Sequence, residues 1–503
     1  MRPIVTPAEM AEADRRTIAA GTPESALVAR AGRAVALAAR RELGGCYGRR
    51  AVIVCGGGNN GADGRVAAHV LRAMGARVDV VTVGREPFLD RARTERALAR
   101  ADLVVDAMFG TGFRGDLDGD AAWCAGAILT TGALVMAVDI PSGVDGATGQ
   151  IGTSAVRAHS TVCFQALKPG LLFEPGRAHA GRVEVVDIGV DIDPSVFAAG
   201  LEDVRVPARP ADAHKWSRGV MVIGGSAGMT GAPMLAARAA ARAGAGMVVA
   251  VLPAPGARRA AASEIVVREL ASDPAGGFAA EAAVGARREL GRFAAGVIGP
   301  GLGRALGSDV FASRVIAEAP IPLVIDADAL NVLTDDRAAL DVRGAAGLPA
   351  AVLTPHDGEF ARLAGHPVGP DRIAAAVALA AERRCVILLK GPATVVAAPD
   401  GRAVVTRTGG ARLATAGTGD VLSGVIGALL TTGLAPFDAA WHAAVLHGAA
   451  ADRSPYGDGT IASDVIDALP LALLDREQPR SQDARHHPCQ RRDDSRSGRH
   501  RRG

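Results

Sequence analysis

Short, fully apolar segments alternate with longer segments of helical periodicity along the first part of the chain. We predict strands at 51–55, 78–83, 103–105 and 134–138, and a helix from about residue 62 to residue 74. Strands without polar alternation are typical of a parallel sheet that helices cover on both faces. Ligands bind at the carboxyl ends of such strands, and the turns that open at Gly56, Asp106 and Asp139 follow such ends. The pattern therefore predicts a ligand site at that edge of the sheet.

The pattern pauses between residues 190 and 213, where Asp and Pro interrupt the apolar segments, and we interpret this stretch as a linker. A second series then begins at 220–223, and it ends with two helical segments after Gly417. Its other strands are predicted near 296–299, 321–326, 351–353 and 385–389. We therefore predict an α/β protein with two domains, residues 1–205 and 206–475, followed by a disordered tail, residues 476–503.

Charge is distributed unevenly along the 503 residues, whose net charge is +3. The tail holds nine Arg against four Asp and Glu, a net of +5, so the other 475 residues sum to −2. A near-neutral body gives no reason to expect nucleic acid or an anionic membrane as a partner. A nucleic-acid-binding arm is the less favoured interpretation of the tail, and a solvated extension is the favoured one.

The six cysteines show neither a C-x-x-C pair nor zinc-finger spacing, so we expect free thiols in a reducing compartment. The first residues lack an apolar signal segment, and no apolar run is long enough to span a membrane. We expect a cytoplasmic protein that forms a homo-oligomer.

Lysine is rare in this chain, because only three of its 56 basic side chains are Lys and the others are Arg. The three are Lys168, Lys215 and Lys390, and each lies near a glycine-containing motif. Arg and Lys differ in shape and in how they hold phosphate, so these positions are candidates for function, although chance could also explain them.

Three polar turns follow the strands of the first part. They are Gly56–Gly64, which contains Asn-Asn and Asp among its glycines, Asp106–Gly115, and Val138–Gly146. Glycines at a helix start let backbone N–H groups approach an anion, and the polar side chains add donors and acceptors. Any one of these turns alone could equally be a helix cap or a tight turn.

Taken together, these motifs and the segment Phe164–Gly170 resemble the YjeF N-terminal family, the NAD(P)H-hydrate epimerases, over roughly residues 1–205. The resemblance implies a Rossmann-like parallel sheet, Asp139 as an acid/base beside the reacting ring, and a K⁺ ion on oxygen donors. The implied K⁺ ligands are Asn60, Asp106 and Ser142. The implied substrate-binding residues are Asn59, Asn60, Gly61, Ala62, Asp63, Gly110, Thr111, Gly112, Phe113, Arg114, Gly115, Asp116 and Asp139.

Ala62 departs from the family, which usually has a second Gly at this position. Its Cβ would be a handicap if the position required positive φ or a very close approach of the ligand. The fold of the first part is therefore better supported than its epimerase activity.

The strongest motif in the second part is Ala416–Asp420, in which Gly-Thr-Gly-Asp opens a helix. Glycines at a helix start can form an anion hole for a phosphoryl group, and an Asp beside it can take the proton of a substrate hydroxyl. Alone, Asp420 could also be an acid that the helix dipole stabilises. No Walker motif occurs, so a P-loop kinase is not favoured.

With the segments 224–232, 299–303, 326–331, 354–360 and 390–394, this motif is similar to the ribokinase-like superfamily, and within it to the ADP/ATP-dependent NAD(P)H-hydrate dehydratases. The resemblance implies that Asp420 is the base, that ADP or ATP is the co-substrate and that Mg²⁺ bridges the nucleotide phosphates. The implied nucleotide contacts are Lys390, Gly391, Pro392, Ala393, Thr394 and Gly419. The implied substrate contacts are Ala232, Gly301, Gly303, His356 and Asp420. Asp357 and Gly410 depart from the family, which usually has Pro and Asn there.

The two resemblances together predict repair of hydrated NADH and NADPH, by epimerisation of the R and S hydrates and nucleotide-dependent dehydration of the S form. One alternative is a vitamin or sugar kinase of the same superfamily, in which phosphate stays on the product and the first domain only binds. The fused first part argues against it, because its motifs suit a dinucleotide-like substrate. The other alternative is a first domain that is a binding module without catalysis. The joint presence of Asn60, Asp106 and Asp139 argues against a pure binding module, which would have no chemical need for all three.

Overall fold

The computed structural model describes residues 1–84, 89–255, 264–335 and 337–475. Their strands form two sheets, one of six strands and one of eleven. Both are flanked by helices, and the buried apolar residues lie on both faces of each sheet. The predicted α/β fold class with two sheet-centred domains is confirmed. The predicted tail lies outside the described residues.

The first sheet is entirely parallel and has the strand order β3-β2-β4-β5-β6-β7. Its strands are β2 Arg50–Cys55, β3 Arg77–Thr82, β4 Leu103–Ala107, β5 Leu134–Val138, β6 Ser160–Phe164 and β7 Arg182–Val186. The helices of this part are α1 Pro7–Ala19, α2 Glu24–Glu42, α3 Asn59–Ala73, α4 Arg91–Leu98, α5 Gly119–Leu129 and α6 Gly176–Ala180. The predicted helix is α3, which begins three residues earlier than expected because the Asn-Asn turn is already helical.

The second sheet is mixed and has the strand order β1-β8-β17-β16-β15-β14-β13-β12-β9-β10-β11. Its strands are β1 Arg2–Ile4, β8 Val196–Ala199, β9 Gly219–Ile223, β10 Met247–Pro253, β11 Val266–Leu270, β12 Ala295–Ile298, β13 Leu323–Ile325, β14 Val352–Leu353, β15 Val386–Leu389, β16 Val395–Ala397 and β17 Ala403–Thr406. The five predicted strands correspond to β9, β12, β13, β14 and β15.

Helices cover both faces of the second sheet, and two of them, α14 and α15, are almost completely buried. They are α7 Gly231–Arg242, α8 Ala282–Leu290, α9 Leu306–Glu318, α10 Asp328–Asp335, α11 Ala338–Ala345, α12 Asp357–Ala364, α13 Arg372–Arg383, α14 Thr418–Leu430, α15 Pro436–Asp452 and α16 Ala462–Asp475. The prediction of two helices after Gly417 is wrong, because three follow it within residues 418–475. None of these or the other described helices is both long and apolar enough to cross a membrane.

Two strands from the first part of the chain belong to the second sheet. β8 lies inside the predicted linker and pairs in parallel with β17, and β1 pairs antiparallel with β8. On its other edge β1 contacts the first part, where Val5 N donates to Leu167 O at 2.9 Å and Leu167 N donates to Pro3 O at 3.0 Å. The predicted linker is therefore wrong for residues 196–199, and β1 connects the second sheet to the segment that follows β6 of the first sheet.

Candidate active sites

A cavity of about 700 Å³ opens where β2, β4, β5 and β6 of the first sheet end, at the edge that the hydrophobic pattern predicts. Residues of α1 and α2 form another part of its wall. Of the predicted site residues, those that line it are Asn59, Asn60, Asp63, Gly110, Thr111, Gly112, Phe113, Arg114, Asp116 and Asp139. Those that do not line it are Gly61, Ala62, Gly115, Asp106 and Ser142. The structure thus brings most of the predicted substrate-binding residues to one cavity.

Asp139, directly after β5, forms a buried ion pair with Lys168. The Lys168 ammonium donates to Asp139 Oδ1 at 2.8 Å and to Phe164 O at 2.7 Å, and Phe164 N donates to the same Oδ1 at 3.3 Å. Burial alone would lower the pKa of Lys168, but the attraction of Asp139 leaves that pKa raised. The chain therefore keeps Asp139 beside a full positive charge.

The backbone of Asp139 has φ +64°, a conformation that residues other than Gly rarely adopt. Hydrogen bonds hold it there, from Asp139 N to Val162 O at 2.7 Å and from Ile140 N to Val138 O at 2.8 Å. Such strain is found most often at functional sites. A Cβ on Gly110 would lie 3.3 Å from Asp139 Oδ2, so this second oxygen faces the Gly110 turn of the cavity.

Asp106 and Ser142 meet behind the cavity wall. Asp106 is fully buried, and its carboxylate accepts hydrogen bonds from Ser142 Oγ at 2.6 Å, Ser142 N at 2.8 Å and Met108 N at 3.2 Å. Burial raises the pKa of Asp106 to about 6, against the effect of these bonds. Within the described residues, no Lys or Arg pairs with it. Asn60, on α3, lies near the Gly110 turn, where a Cβ on Gly110 would be 3.1 Å from Asn60 Oδ1. The buried Nδ2 of Asn60 has no hydrogen-bond partner in the described structure.

The Asn59–Asp63 turn explains why Ala62 is tolerated. A Cβ on Gly61 would lie 2.0 Å from Gly56 O, so close packing demands glycine at that residue. Ala62 instead lies inside α3 without a positive φ and does not line the cavity. The backbone handicap anticipated for Ala62 is therefore not present.

The second candidate site lies at the start of α14, where Gly417 is the N-cap with φ +88°. The first N–H groups of a helix lack intrahelical partners and favour negative charge, so this helix start can bind an anion. Burial and the neighbouring Asp326 carboxylate raise the pKa of Asp420 to about 7, against the attraction of Lys390. At neutral pH, Asp420 is thus poised to accept a proton.

Lys390 lies next to this turn, because a Cβ on Gly419 would be 3.5 Å from its ammonium nitrogen. That nitrogen is 3.0 Å from Asp326 Oδ1 and 3.6 Å from Glu359 Oε2. Asp326 is fully buried, and its other oxygen accepts from Ser423 Oγ on α14 at 2.5 Å. Burial alone would raise the pKa of Asp326, but Lys390 and Ser423 hold that pKa below its usual value.

Some of the predicted substrate contacts of the second site lie close to one another. A Cβ on Gly301 would lie 3.3 Å from the Ala232 methyl group, and Gly303 N donates to Asp328 Oδ2 at 2.9 Å. The exposed His356 caps α12 through Nδ1, and its Nε2 is 3.5 Å from Glu359 Oε1. Glu359 thereby joins the His356 loop to Lys390.

The remaining predicted nucleotide contacts, Gly391, Pro392, Ala393 and Thr394, lie in the turn between β15 and β16. Arg372 lies over this turn, donating to Lys390 O at 2.9 Å and pairing with both oxygens of Asp357 at 2.8 and 2.9 Å. The departure of Asp357 from the family pattern is thus matched by a partner in this chain.

Two of the three lysines lie at the sites, whereas Lys215 is an exposed residue of a 3-10 turn. Residues that sequence reasoning missed include Asp14 on α1, which lines the first cavity, and Glu24 on α2, which accepts from Asn59 Nδ2 at 3.0 Å. Neither belongs to a motif, so no local signal could have found them. Asp326 and Glu359 stand inside quoted motifs, where only the buried ion pair shows their role.

Comparison with known families supports both parts of the chain. Residues 220–471 match the family described as NAD(P)H-hydrate dehydratase. Residues 24–100 and 89–170 match the family described as YjeF-related protein N-terminus. Together these matches cover both candidate sites.

Relatives that combine the two parts are also similar to this chain. The bifunctional NAD(P)H-hydrate repair enzymes of Moorella thermoacetica and Salinibacter ruber are 38% and 37% identical, over 94% of this chain and over 97% and 96% of theirs. One similar solved structure is the Bacillus subtilis ADP/ATP-dependent NAD(P)H-hydrate dehydratase, co-crystallised with ATP and Mg²⁺. It is 28% identical, with a TM-score of 0.45, and the match covers 55% of this chain and 96% of that one.

The buried Lys168–Asp139 ion pair should contribute to the stability of the first part. We expect Lys168→Met to lower the free energy of unfolding of the first part by ~3–5 kcal/mol, because it leaves a buried carboxylate without its cation. Urea unfolding, followed by hydrogen exchange in β5 and β6, measures the loss. Lys215→Met is the matched control and should change stability by less than about 0.5 kcal/mol. Equal stability of the two variants would contradict the importance of the pair.

Proposed function

The chain belongs to the bifunctional NAD(P)H-hydrate repair enzymes, and from that premise we propose which of its residues carry the two reactions. We assign epimerisation of hydrated NADH and NADPH to the first cavity and nucleotide-dependent dehydration to the turn that opens α14. The observation that carries the second assignment is the position of Asp420, a carboxyl group with a pKa of about 7 at an anion-binding helix start.

The dehydration begins at the hydroxyl group of the hydrated ring. Asp420 accepts the proton of this hydroxyl while the hydroxyl oxygen attacks the terminal phosphoryl group of ADP or ATP. The N–H groups of Gly417–Gly419 and the Lys390 ammonium stabilise the charge on the transferring group. Phosphate then leaves the ring carbon, a ring proton is lost, and the dihydropyridine is restored.

The nucleotide would lie along Lys390–Thr394 and Gly419, with the ring near Ala232, Gly301, Gly303 and His356. The carboxylates of Asp326, Glu359 and Asp420 act on the Lys390 ammonium. The described residues hold no cluster of three His, Cys, Asp or Glu that could bind a metal, so Mg²⁺ would be carried by the nucleotide phosphates. When bound, Mg²⁺ would neutralise the nucleotide phosphates. The choice between ADP and ATP stays open.

In the first cavity, Asp139 is the proposed acid/base, and the loops after β2 and β4 hold the dinucleotide. Ser142 Oγ donates a hydrogen bond to the buried carboxylate of Asp106, and within the described residues no Lys or Arg pairs with Asp106. With the side-chain oxygen of Asn60, these oxygen donors would suit K⁺. When bound, K⁺ would neutralise Asp106 and stabilise the Asn59–Asp63 and Gly110–Asp116 turns.

The two activities follow the two predicted domains, residues 1–205 and 206–475. Because β1 and β8 of the first part lie in the second sheet, a boundary at 205/206 would separate the activities rather than the sheets. The homo-oligomeric state and the cytoplasmic location stay predictions.

The role of Asp420 is tested by the pH dependence of dehydration. We expect kcat/KM with the S hydrate and ADP or ATP to fall about tenfold per pH unit below about pH 7, because Asp420 must be ionised to accept the proton. Asp420→Asn should lower kcat on the order of 10²–10⁴-fold and remove this limb of the profile. The absorbance of reduced nicotinamide measures the rate.

The control for this experiment is Asp458→Asn, which removes an exposed carboxylate of the same part of the chain. It should leave both the rate and the pH profile unchanged. Parent-like turnover by Asp420→Asn, with a normal fold, would show that another group is the base.

The K⁺ site is tested by the rate at which purified epimers of hydrated NADH interconvert in K⁺ and in tetramethylammonium buffers. We expect the parent to be faster in K⁺, and Asp106→Ala to lose on the order of tenfold to a hundredfold in rate because a ligand is missing. Ser142→Ala removes a smaller donor and should show a smaller loss. Dehydration by both variants should be unchanged. Equal interconversion rates in both buffers, together with a parent-like rate for Asp106→Ala, would contradict a K⁺ ion at this site.

A further inference from the structure

Asp63 is a buried carboxyl group of the first cavity that has no cation beside it. It stands on α3, is 7% exposed and lines the cavity together with Asp139. Within the described chain, no side chain or backbone group donates a hydrogen bond or an ion pair to its carboxyl. The charged groups that act on it are the carboxyls of Asp139, after β5, and Asp14, on α1.

The two basic side chains that line this cavity are already engaged. Lys168 is bound to Asp139, and the largely exposed Arg114 lies 3.8 Å from Asp145. Asp63 therefore faces other acids without a counter-ion, a setting in which a buried carboxyl keeps its proton. Burial, Asp139 and Asp14 together raise the pKa of Asp63 to about 8.

Asp139, unlike Asp63, has a cation beside it. Lys168 and Phe164 N occupy its Oδ1, while its Oδ2 faces the turn at Gly110. One cavity thus holds an ionised carboxylate with an available oxygen and a second carboxyl that carries a proton. Two carboxyls whose surroundings drive them into different protonation states are a recurring acid/base arrangement.

We propose that Asp63 is the general acid that works with Asp139 in the epimerisation, and that the ring opens and closes between them. This inference rests on the proposed epimerase function. Hydration of the dihydropyridine places a hydroxyl on the carbon next to the ring nitrogen, so the inverting carbon bonds to both oxygen and nitrogen. Such a carbon can lose its configuration if its bond to nitrogen breaks.

The step balances with these two groups alone. Asp139 Oδ2 takes the hydroxyl proton, the C–N bond breaks with its electron pair moving to nitrogen, and Asp63 gives that nitrogen a proton. The ring is then an open aldehyde with a free N–H group. After rotation about the adjacent C–C bond, nitrogen adds to the other face of the aldehyde, returns its proton to Asp63, and the new alkoxide recovers the proton from Asp139.

Both carboxyls finish in the states in which they began, so the pair needs neither water nor an outside proton source to turn over again. Burial of Asp63 supports this cycle, since an exposed carboxyl would exchange its proton with solvent and ionise near neutral pH. The assignment also gives Asp63 a chemical role distinct from holding the dinucleotide.

The test compares Asp63→Asn with Asp63→Glu in the full-length protein, using one purified epimer of hydrated NADH in K⁺ buffer. The amide cannot donate an acidic proton, so kcat for epimerisation should fall on the order of 10²–10⁴-fold while KM stays close to that of the parent. Asp63→Glu keeps the acid and should recover about tenfold or more of the lost rate. A role in binding alone would raise KM and leave kcat nearly unchanged, which would overturn the proposal.

Two controls separate the proposal from misfolding and from failure of the proposed function. Asp79→Asn, an exposed carboxylate on β3, removes the same charge and should epimerise like the parent. Hydrogen exchange in β5 and β6 reports whether the first part of each variant is folded, and the dehydratase rate reports the second part. If the parent itself does not interconvert epimers, the epimerase assignment fails; if the parent does and Asp63→Asn equals it, only the role of Asp63 fails.

An isotope measurement tests the bond that breaks. Substrate labelled with ¹⁸O in the ring hydroxyl should keep its label through a single inversion in unlabelled water, as mass spectrometry of the separated epimers shows. Loss of one label with each inversion would mean that the C–O bond breaks instead, and would overturn the ring-opening step.

Discussion

Removing a carboxylate from water is costly unless a cation accompanies it, and both sites of this protein are arranged around that constraint. Asp139 directly follows a strand of the first sheet and binds Lys168, and Asp326 directly follows a strand of the second and binds Lys390. Arg replaces Lys almost everywhere else in the chain. A compact ammonium group fits inside a packed sheet edge where a planar guanidinium with five donors would leave several of them unpaired.

Each lysine ammonium is paired with its own aspartate, so it does little to stabilise the ionised form of the neighbouring acid. Asp63 is buried in the first cavity with Asp139, and the half-buried Asp420 lies near Asp326 and Lys390 in the second site. The pKa of each is raised, to about 8 and about 7. A group near neutrality can give or take a proton within a catalytic cycle. In the proposed mechanisms, the same physical arrangement supplies an acid in one half and a base in the other.

The apolar pattern predicted most strands that carry site residues, because parallel strands buried on both faces have an unmistakable composition. β5 was predicted with its observed bounds, and the turn after Gly417 was predicted as a helix start. β1 and β8 were missed because they have three and four residues and depend on pairing partners about 200 residues away. Asp14 was missed for a related reason, since only the packing of α1 against the first sheet brings it to the cavity.

The central claim is that one chain returns both epimers of hydrated NADH to NADH through two separate sites. The most direct measurement incubates the full-length protein with an equal mixture of the epimers, K⁺, Mg²⁺ and excess ADP or ATP, and follows reduced nicotinamide and inorganic phosphate together. The account predicts complete recovery of NADH, with one phosphate released for each NADH formed. Recovery that stops when one epimer is exhausted, or a phosphorylated hydrate that accumulates without NADH, would contradict it.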